Sequence, residues 1–187
     1  MELIFEKVRN ILSVKPNAII GIDGYCASGK TTLAMQIAQK FNAQVVHMDD
    51  FFLPFDMRTE KRLSETGGNV HYERFNAEVV SGFEKGSEFD YRAFCCQNGT
   101  YAETKEILPD KPTIIEGSYA FHPEIRLNYD LKIFVKADYD VRLSRILERN
   151  GMQALETFKS KWIPLENRYF DEFKIEEKCD IIKQTGN

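Results

Sequence analysis

Residues 24–31 form a glycine-bounded segment whose spacing could hold phosphate groups. The segment, Gly-Tyr-Cys-Ala-Ser-Gly-Lys-Thr, matches the pattern G-x-x-x-x-G-K-[ST] without a gap. Gly24 and Gly29 let the backbone curl so that successive N–H groups point at phosphate oxygens. In this pattern Lys30 reaches the β- and γ-phosphates, and the Thr31 hydroxyl can ligate Mg²⁺. The residues predicted to hold the phosphates are Gly24, Ala27, Ser28, Gly29, Lys30, Thr31 and Thr32.

Two aspartates and a glutamate follow apolar segments that we expect to be strands. Asp49 and Asp50 come directly after the segment 44–48, and Glu116 ends the segment 112–116. In a parallel sheet the carboxyl ends of the strands share one edge with the phosphate loop, so Asp49 should lie near the γ-phosphate. A carboxylate there can accept a hydroxyl proton and would repel a phosphate acceptor. The pattern therefore favours an alcohol substrate over a nucleoside monophosphate.

The same carboxylates could serve a metal ion instead. The aspartate pair could only cap the loop or bind Mg²⁺, and Glu116 could orient Mg²⁺ through water, share the role of base, or stay a solvated acid at a strand end. We predict that Lys30, Asp49 and Glu116 are catalytic. We also predict that Thr31, Asp49 and Glu116 form the metal side of the site.

Three arginines stand at helical spacing before a glycine. Arg142, Arg145 and Arg149 are separated by three and four residues, so one helix face carries all three. Gly151 follows as a candidate hinge, and cations that close over a transferring phosphoryl group would stabilise its charge. We predict catalytic roles for Arg142 and Arg145 and nucleotide binding for Arg149, with a solvated helix face as the alternative.

Strand-like and helix-like segments alternate along most of the chain. This order predicts a parallel sheet of five strands with helices on both faces, a three-layer α/β fold. Asn98-Gly99 between two strand-like segments predicts a small inserted hairpin. The predicted strands are 17–23, 44–48, 112–116, 130–135 and 179–182, with hairpin strands 88–94 and 100–107. The predicted helices are 1–15, 31–41, 75–85, 138–149 and 152–173, and residues 49–74 are expected to be a functional loop.

Length and composition limit the class of protein. The chain has 187 residues, which fits one domain with a small insertion. Its formal net charge of −4 argues against a nucleic-acid binder, and without an apolar run of 18 residues we expect no membrane span. Four scattered cysteines, with no Cys-x-x-Cys pair and no basic, apolar leader, suggest a cytoplasmic protein. Cys26 could be a small residue that fits the loop or a redox-sensitive thiol.

Four segments together resemble the uridine kinase family. They are Gly-Ile-Asp-Gly-Tyr-Cys-Ala-Ser-Gly-Lys-Thr-Thr-Leu-Ala at 21–34, Asp-Asp-Phe-Phe at 49–52, Ile-Ile-Glu-Gly at 114–117 and Asp-Val-Arg-Leu-Ser-Arg-Ile-Leu-Glu-Arg at 140–149. The resemblance covers residues 17–183 and extends to phosphoribulokinase, pantothenate kinase and nicotinamide riboside kinase. It implies a P-loop kinase fold, ATP and Mg²⁺ as cofactors, phosphorylation of a primary hydroxyl, and Asp49 as general base. It also implies an acceptor-binding insertion over 49–108 and an arginine-bearing helical lid over 142–170.

The acceptor side departs from that family. Where uridine kinases carry a pattern near Asn-Phe-Asp-His-Pro, residues 69–72 are Asn-Val-His-Tyr, so only Glu73 could replace the ribose-binding aspartate. The family's pyrimidine-reading His and Arg are replaced by Phe94 and Cys96. Loss of such groups weakens discrimination between bases. The candidates for acceptor binding, each also explicable as a surface polar or core aromatic residue, are Asp50, His71, Glu73, Tyr91 and Arg92.

The sequence thus predicts an ATP-dependent kinase that phosphorylates a primary hydroxyl of a small, nucleoside-like molecule. Its expected partner is that small molecule, with no nucleic acid or membrane, and its oligomeric state is not indicated. Two alternatives stay open: a kinase for nucleoside monophosphates or other small metabolites, and a P-loop protein that binds ATP without turnover.

Overall fold

The core of the computed structural model, which describes residues 1–96 and 98–186, is a parallel sheet of five strands in the order β2-β5-β1-β6-β7. A separate antiparallel pair, β3 with β4, forms the hairpin. The strands are β1 (Ile19–Gly24), β2 (Gln44–His47), β3 (Phe89–Cys95), β4 (Thr100–Ile107), β5 (Thr113–Glu116), β6 (Leu131–Ala137) and β7 (Ile181–Thr185). The α/β fold with a five-stranded parallel sheet is therefore confirmed.

The central strand β1 explains why the sheet is covered on both faces. All six of its residues are buried, and it pairs in parallel with β5 on one side and β6 on the other. A nearly continuous apolar run is typical of a parallel strand that contacts helices above and below. The carboxyl ends of the five strands consequently meet at one edge of the sheet, where the phosphate loop begins.

Helices lie on both faces of this sheet. On one face, Ile4 and Val8 of α1 pack with Leu33 and Ile37 of α2 against the strands. On the other face, the packed side chains come from α7 and from the helical segment before the hairpin. The helices are α1 (Glu2–Val14), α2 (Lys30–Phe41), α3 (Glu60–Ser64), α4 (Tyr72–Phe75), α5 (Ser81–Lys85), α6 (Tyr139–Thr157) and α7 (Ile163–Phe173).

The segment between β2 and the hairpin is more ordered than the sequence suggested. The expected loop 49–74 contains two 3₁₀ turns and α3, whose first turn is capped by the Thr59 side chain. The expected helix 75–85 begins earlier, at α4, and passes through a π-helical turn at Asn76–Val80 before α5. Turns of this kind are frequent near functional sites, and no periodicity in the sequence announces them.

The lid region is one helical run divided by two irregularities. Gly151 has φ 80° and ψ 175°, which kinks α6 where the sequence predicted a break. A π-helical turn at Phe158–Trp162 then leads into α7, which has Pro164 in its first turn. Gly151 has open space around its Cα, so its role is the positive φ that L-residues rarely adopt.

The hairpin is present, and Gly99 in its turn has a φ of 72°. Gln97, which precedes the predicted Asn-Gly turn, lies outside the described residues. Across residues 1–96 and 98–186, no helix is both long and apolar enough to cross a membrane.

Candidate active site

The phosphate loop joins the end of β1 to the start of α2. Gly24 has a φ of 139°, and a Cβ at this position would lie 1.9 Å from the Val135 carbonyl oxygen. Only glycine therefore lets the chain leave β1 so close to β6. Gly29 precedes α2 with a φ of 98°, so that the amino end of α2, which favours anions, faces the cleft beyond the sheet edge.

Lys30 is the first residue of α2 and turns back over its own loop. Its Nζ donates to the Gly24 carbonyl at 2.8 Å, to the Tyr25 carbonyl at 2.9 Å and to Ser118 Oγ at 3.2 Å. The residue is 8% exposed, so the lysine is buried and does not project into solvent. The ammonium group is thus held in a fixed position at the floor of the cleft.

The predicted metal side of the site is assembled at the ends of β2 and β5. The Thr31 hydroxyl lies 3.3 and 3.2 Å from the two carboxylate oxygens of Glu116. On the other side of Glu116, His47 Nδ1 lies 2.5 Å from Oε1, and this hydrogen bond raises the pKa of His47. His47 faces Glu116 because the two are paired in register across β2 and β5.

Asp49 lies just beyond β2 and lines the same cleft as Lys30, Thr31 and Glu116. The cleft has a volume of about 800 Å³. Asp49 is accessible from the cleft, yet the surrounding protein displaces enough bulk water to raise the pKa of its carboxyl, while the Lys30 charge opposes that rise. The arrangement places an accessible carboxylate beside the lysine of the phosphate loop.

The three lid arginines do not act as one face. Arg145 lines the cleft and donates to the Ala27 carbonyl at 3.0 Å, so it ties the lid to the phosphate loop. Arg149 also lines the cleft and bonds to the side chain of Asn150 at 2.8 Å. Arg142 is buried, with its guanidinium 4.5 Å from the centre of the Tyr25 ring, and it does not line the cleft. Helical spacing alone could not distinguish these three environments.

The five candidate acceptor residues do not line the cleft within the described part of the chain. The Arg62 guanidinium donates hydrogen bonds to both carboxylate oxygens of Glu73, at 2.6 and 2.9 Å. The neighbouring His71 is partly buried, and this burial lowers the pKa of its imidazole. Arg92 is exposed and packs over the Tyr101 ring at 4.7 Å. These five residues are Asp50, His71, Glu73, Tyr91 and Arg92.

Two of these residues tie the hairpin to the loop after β2. The buried Tyr91 hydroxyl donates to Asp50 Oδ2 at 2.9 Å, and Lys105 donates to the same oxygen at 2.7 Å. Asp50 therefore holds the hairpin against the segment that carries Asp49. In this conformation the pair supports the site rather than facing an acceptor.

Six further side chains that line the cleft come from outside the phosphate loop and the lid, and we name this set the acceptor end. Arg58 is held there by the Leu53 carbonyl at 2.9 Å and stacks 4.5 Å from the centre of the Phe55 ring. Asn69 is 7% exposed, and its Oδ1 has no hydrogen-bond partner within the described chain. The residues at this end are Phe52, Arg58, Leu63, Asn69, Cys96 and Tyr119. Phe52 lies in the segment 49–52 that resembles the family, and Asn69 and Cys96 lie in segments compared with it, but no sequence signal identified Arg58, Leu63 or Tyr119.

The sequence left Cys26 with two interpretations and gave Glu166 no role. Burial raises the pKa of the Cys26 thiol to about 12, with the Glu166 carboxylate adding to the rise, so the suggestion of a readily oxidised thiolate is not supported. Glu166 of α7 is 6% exposed and accepts a hydrogen bond from the backbone N–H of Cys26 at 2.9 Å. In the sequence, Glu166 was placed only within the predicted helix 152–173, and no chemical role was assigned to it.

The residues present fit ATP and Mg²⁺. The positive φ values of the loop, the amino end of α2 and the fixed Lys30 ammonium form a cradle for phosphate groups. The Thr31 hydroxyl and the Glu116 carboxylate are oxygen donors of the kind that Mg²⁺ prefers. Among the described residues there is no group of three His, Cys, Asp or Glu that could hold a metal ion by itself. Such a site relies on the phosphates of the nucleotide for its remaining ligands, as is usual for Mg²⁺.

Comparison with known proteins places this geometry in a family. The family model described as "Phosphoribulokinase / Uridine kinase family" matches residues 19–154, from β1 into the lid. The chain belongs to this family. The earlier resemblance to the uridine kinase family is therefore confirmed.

Individual relatives are distant. Uridine kinase-like protein 4 of Arabidopsis thaliana is 29% identical over 181 residues, covering 90% of this chain and 38% of the relative. Nicotinamide riboside kinase of Saccharomyces cerevisiae is 27% identical over 189 residues, covering 88% of this chain and 77% of the relative. This chain thus spans about two-fifths of the plant relative's length.

A solved structure agrees on the fold. A protein from Bacillus stearothermophilus, described as a possible uridine kinase, superposes with a TM-score of 0.68 at 21% identity. The match covers 97% of this chain and 99% of that protein. At this identity the likeness concerns the fold alone.

Proposed function

We propose that this member of the phosphoribulokinase and uridine kinase family is an ATP-dependent kinase that transfers the γ-phosphoryl group to a hydroxyl of a small, nucleoside-like molecule. The observation that carries the proposal is the cleft shared by Lys30, Thr31, Asp49 and Glu116. These four supply a cation for the phosphates, oxygen donors for Mg²⁺ and a carboxylate able to accept a proton.

Asp49 supports a hydroxyl acceptor in particular. Its raised pKa makes it a stronger base than a solvated aspartate, because the efficiency of proton transfer rises as the pKa of a base approaches the working pH. A second phosphate group at this place would meet the charges of Asp49 and Glu116, both of which line the cleft. This arrangement disfavours a nucleoside monophosphate as acceptor.

The transfer divides into roles for this chain's own residues. Lys30 and the loop N–H groups orient the phosphates, Asp49 takes the hydroxyl proton, and Arg145 and Arg149 face the transferring group from the lid. Mg²⁺, held by Thr31 and Glu116, would neutralise charge on the phosphates. Trp162 and Phe158 of the lid line the same cleft and limit the access of water to it.

The acceptor itself is the open part of the proposal. Names of relatives include uridine kinase-like protein and nicotinamide riboside kinase, so ribonucleosides are the first class to test. The family's pyrimidine-reading His and Arg are replaced here by Phe94 and Cys96, and the acceptor end instead presents Arg58 and Asn69. We therefore expect an acceptor other than a pyrimidine nucleoside, or weak selection among primary alcohols of similar size.

An acceptor screen tests this function. Purified protein would be incubated with Mg·ATP and, separately, with nucleosides, nucleoside monophosphates, vitamins or sugars, and ADP release would be measured. Acceptor-dependent release with an alcohol, absent in the Lys30→Ala variant, supports the proposal. Tight ATP binding without release for any acceptor would identify a non-catalytic ATP-binding protein instead, and release with monophosphates alone would favour the other kinase class.

A further inference from the structure

Glu166 connects the lid helix to the phosphate loop. Its carboxylate, carried by α7, lines the cleft beside Lys30 and is 6% exposed. One oxygen, Oε2, accepts the backbone N–H of Cys26 at 2.9 Å, and the other, Oε1, accepts the hydroxyl of Ser118 at 2.6 Å. Both donors belong to the walls of the cleft, Cys26 to the phosphate loop and Ser118 to the turn after β5.

Ser118 links Glu166 to Lys30, because its hydroxyl contacts both side chains. Its Oγ lies 3.2 Å from Lys30 Nζ, 3.1 Å from the Gly24 carbonyl and 2.6 Å from Glu166. A hydroxyl has one proton, and the shortest contact, which is also to a charged acceptor, takes it. The Ser118 proton therefore points at Glu166, and this leaves a lone pair of the oxygen facing Lys30.

The Lys30 ammonium has three N–H donors, and each has one partner. Two partners, the Gly24 and Tyr25 carbonyls, are backbone atoms of the loop and are fixed by its fold. The third is the Ser118 hydroxyl, whose orientation depends on Glu166. Without that carboxylate the Ser118 proton could turn to the Gly24 carbonyl. The hydroxyl of Ser118 is therefore the one partner of Lys30 whose orientation can change.

We propose that Glu166 is a positioning residue for phosphoryl transfer: it orients Lys30 through Ser118 and holds the phosphate loop through the N–H of Cys26. Because Glu166 lies on α7, the packing of α7 against the loop sets the orientation of the lysine. The inference rests on the proposed kinase function.

Three variants separate this role from a purely structural one. Glu166→Gln keeps the shape of the side chain but can accept with only one of its two terminal atoms. Ser118→Ala interrupts the relay while leaving the Cys26 contact in place. Glu172→Gln is the matched control, since Glu172 lies half exposed on the same helix and bonds to Arg168 at 3.4 Å.

The test is a double-mutant cycle on kcat, with the melting temperature of each variant recorded as a check on folding. Glu166→Gln should lower kcat at least about tenfold, because small displacements of positioned groups have effects of that order. The KM for ATP should stay within about threefold, since Lys30 keeps its loop contacts and its charge. Ser118→Ala should also lower kcat, and Glu172→Gln should leave it unchanged.

The coupling between the two changes decides the inference. In the Ser118→Ala background, the Glu166→Gln effect should shrink to about threefold or less, because the relay is already broken. Equal factors in both backgrounds, or a kcat that follows only the loss of folded protein, would overturn the positioning role while leaving the kinase assignment intact. A wild-type protein with no transferase activity would overturn both.

Discussion

The two ends of the cleft are made in different ways. The phosphate end consists mainly of backbone groups and of side chains from one short segment, so its geometry follows from the turn between β1 and α2. The acceptor end consists of side chains from several segments, between Phe52 and Tyr119, that meet only in the folded molecule. A binding site built from one local turn is hard to alter, whereas an end made of scattered side chains can change its ligand by single substitutions.

The largest expected effect lies at the phosphate end. Lys30→Ala should lower kcat by about 10³–10⁵-fold, the range found for cations that stabilise a transferring phosphoryl group. The Gly24 and Tyr25 carbonyls would also lose a donor, so circular dichroism and urea unfolding should accompany the kinetics. If the Lys30→Ala variant kept a kcat close to that of the wild type, the assignment of the phosphate site would be wrong.

The next largest effect on turnover is expected for Asp49, which lines the same cleft as Lys30. Asp49→Asn should lower kcat by about 10²–10⁴-fold, as removal of a general base typically does, with little change in ATP affinity. Steady-state kinetics at several Mg²⁺ concentrations would separate base from ligand. If excess Mg²⁺ restored the rate, Asp49 would belong to the metal side instead.

A smaller effect distinguishes the two sets of acceptor residues. Arg58→Gln should raise the KM for the acceptor about tenfold, the loss of a hydrogen bond from a charged group, and should leave the KM for ATP unchanged. Arg92→Gln is the control, because Arg92 is exposed and packs on Tyr101 outside the cleft. If Arg92→Gln raised the KM for the acceptor and Arg58→Gln did not, the acceptor-binding residues would be those predicted from the sequence.

The last prediction in this series concerns folding stability and involves Asp23, a buried carboxylate in β1. Burial raises the pKa of Asp23 to about 6, against the opposing hydrogen bonds of Phe121, Gly24 and Tyr169. A raised carboxyl pKa stabilises the folded state at low pH, and that contribution, on the order of 3 kcal/mol, is lost as the pH rises from about 4 through 6. Titration by carbon NMR should show a midpoint near 6 that rises further in Tyr169→Phe. A midpoint near 4 would show that Asp23 is effectively solvated.

The fold and the phosphate end could be predicted because their signals are local. The loop motif, the buried strands and the break at Gly151 depend on neighbours in sequence, and the expected turns at Gly24, Gly29 and Gly151 are present, each with a positive φ. The acceptor candidates came from positions where the chain departs from its relatives, so alignment carried less information there. The pairing of Glu73 with Arg62 depends on the packing of residues eleven positions apart, which no spacing rule announces. Glu166 lies 140 residues from Cys26, its partner in the loop.

Phosphorus NMR of the product tests the central claim most directly. With wild-type protein, Mg·ATP and an accepted alcohol, we expect a phosphomonoester signal that grows with ADP, and a rate at least about 10²-fold lower in Asp49→Asn. With a nucleoside monophosphate in place of the alcohol, a new phosphoanhydride signal beyond those of ATP and ADP would show transfer to a phosphate acceptor. Inorganic phosphate alone, or no change in ATP with any acceptor, would contradict a kinase that acts on a hydroxyl.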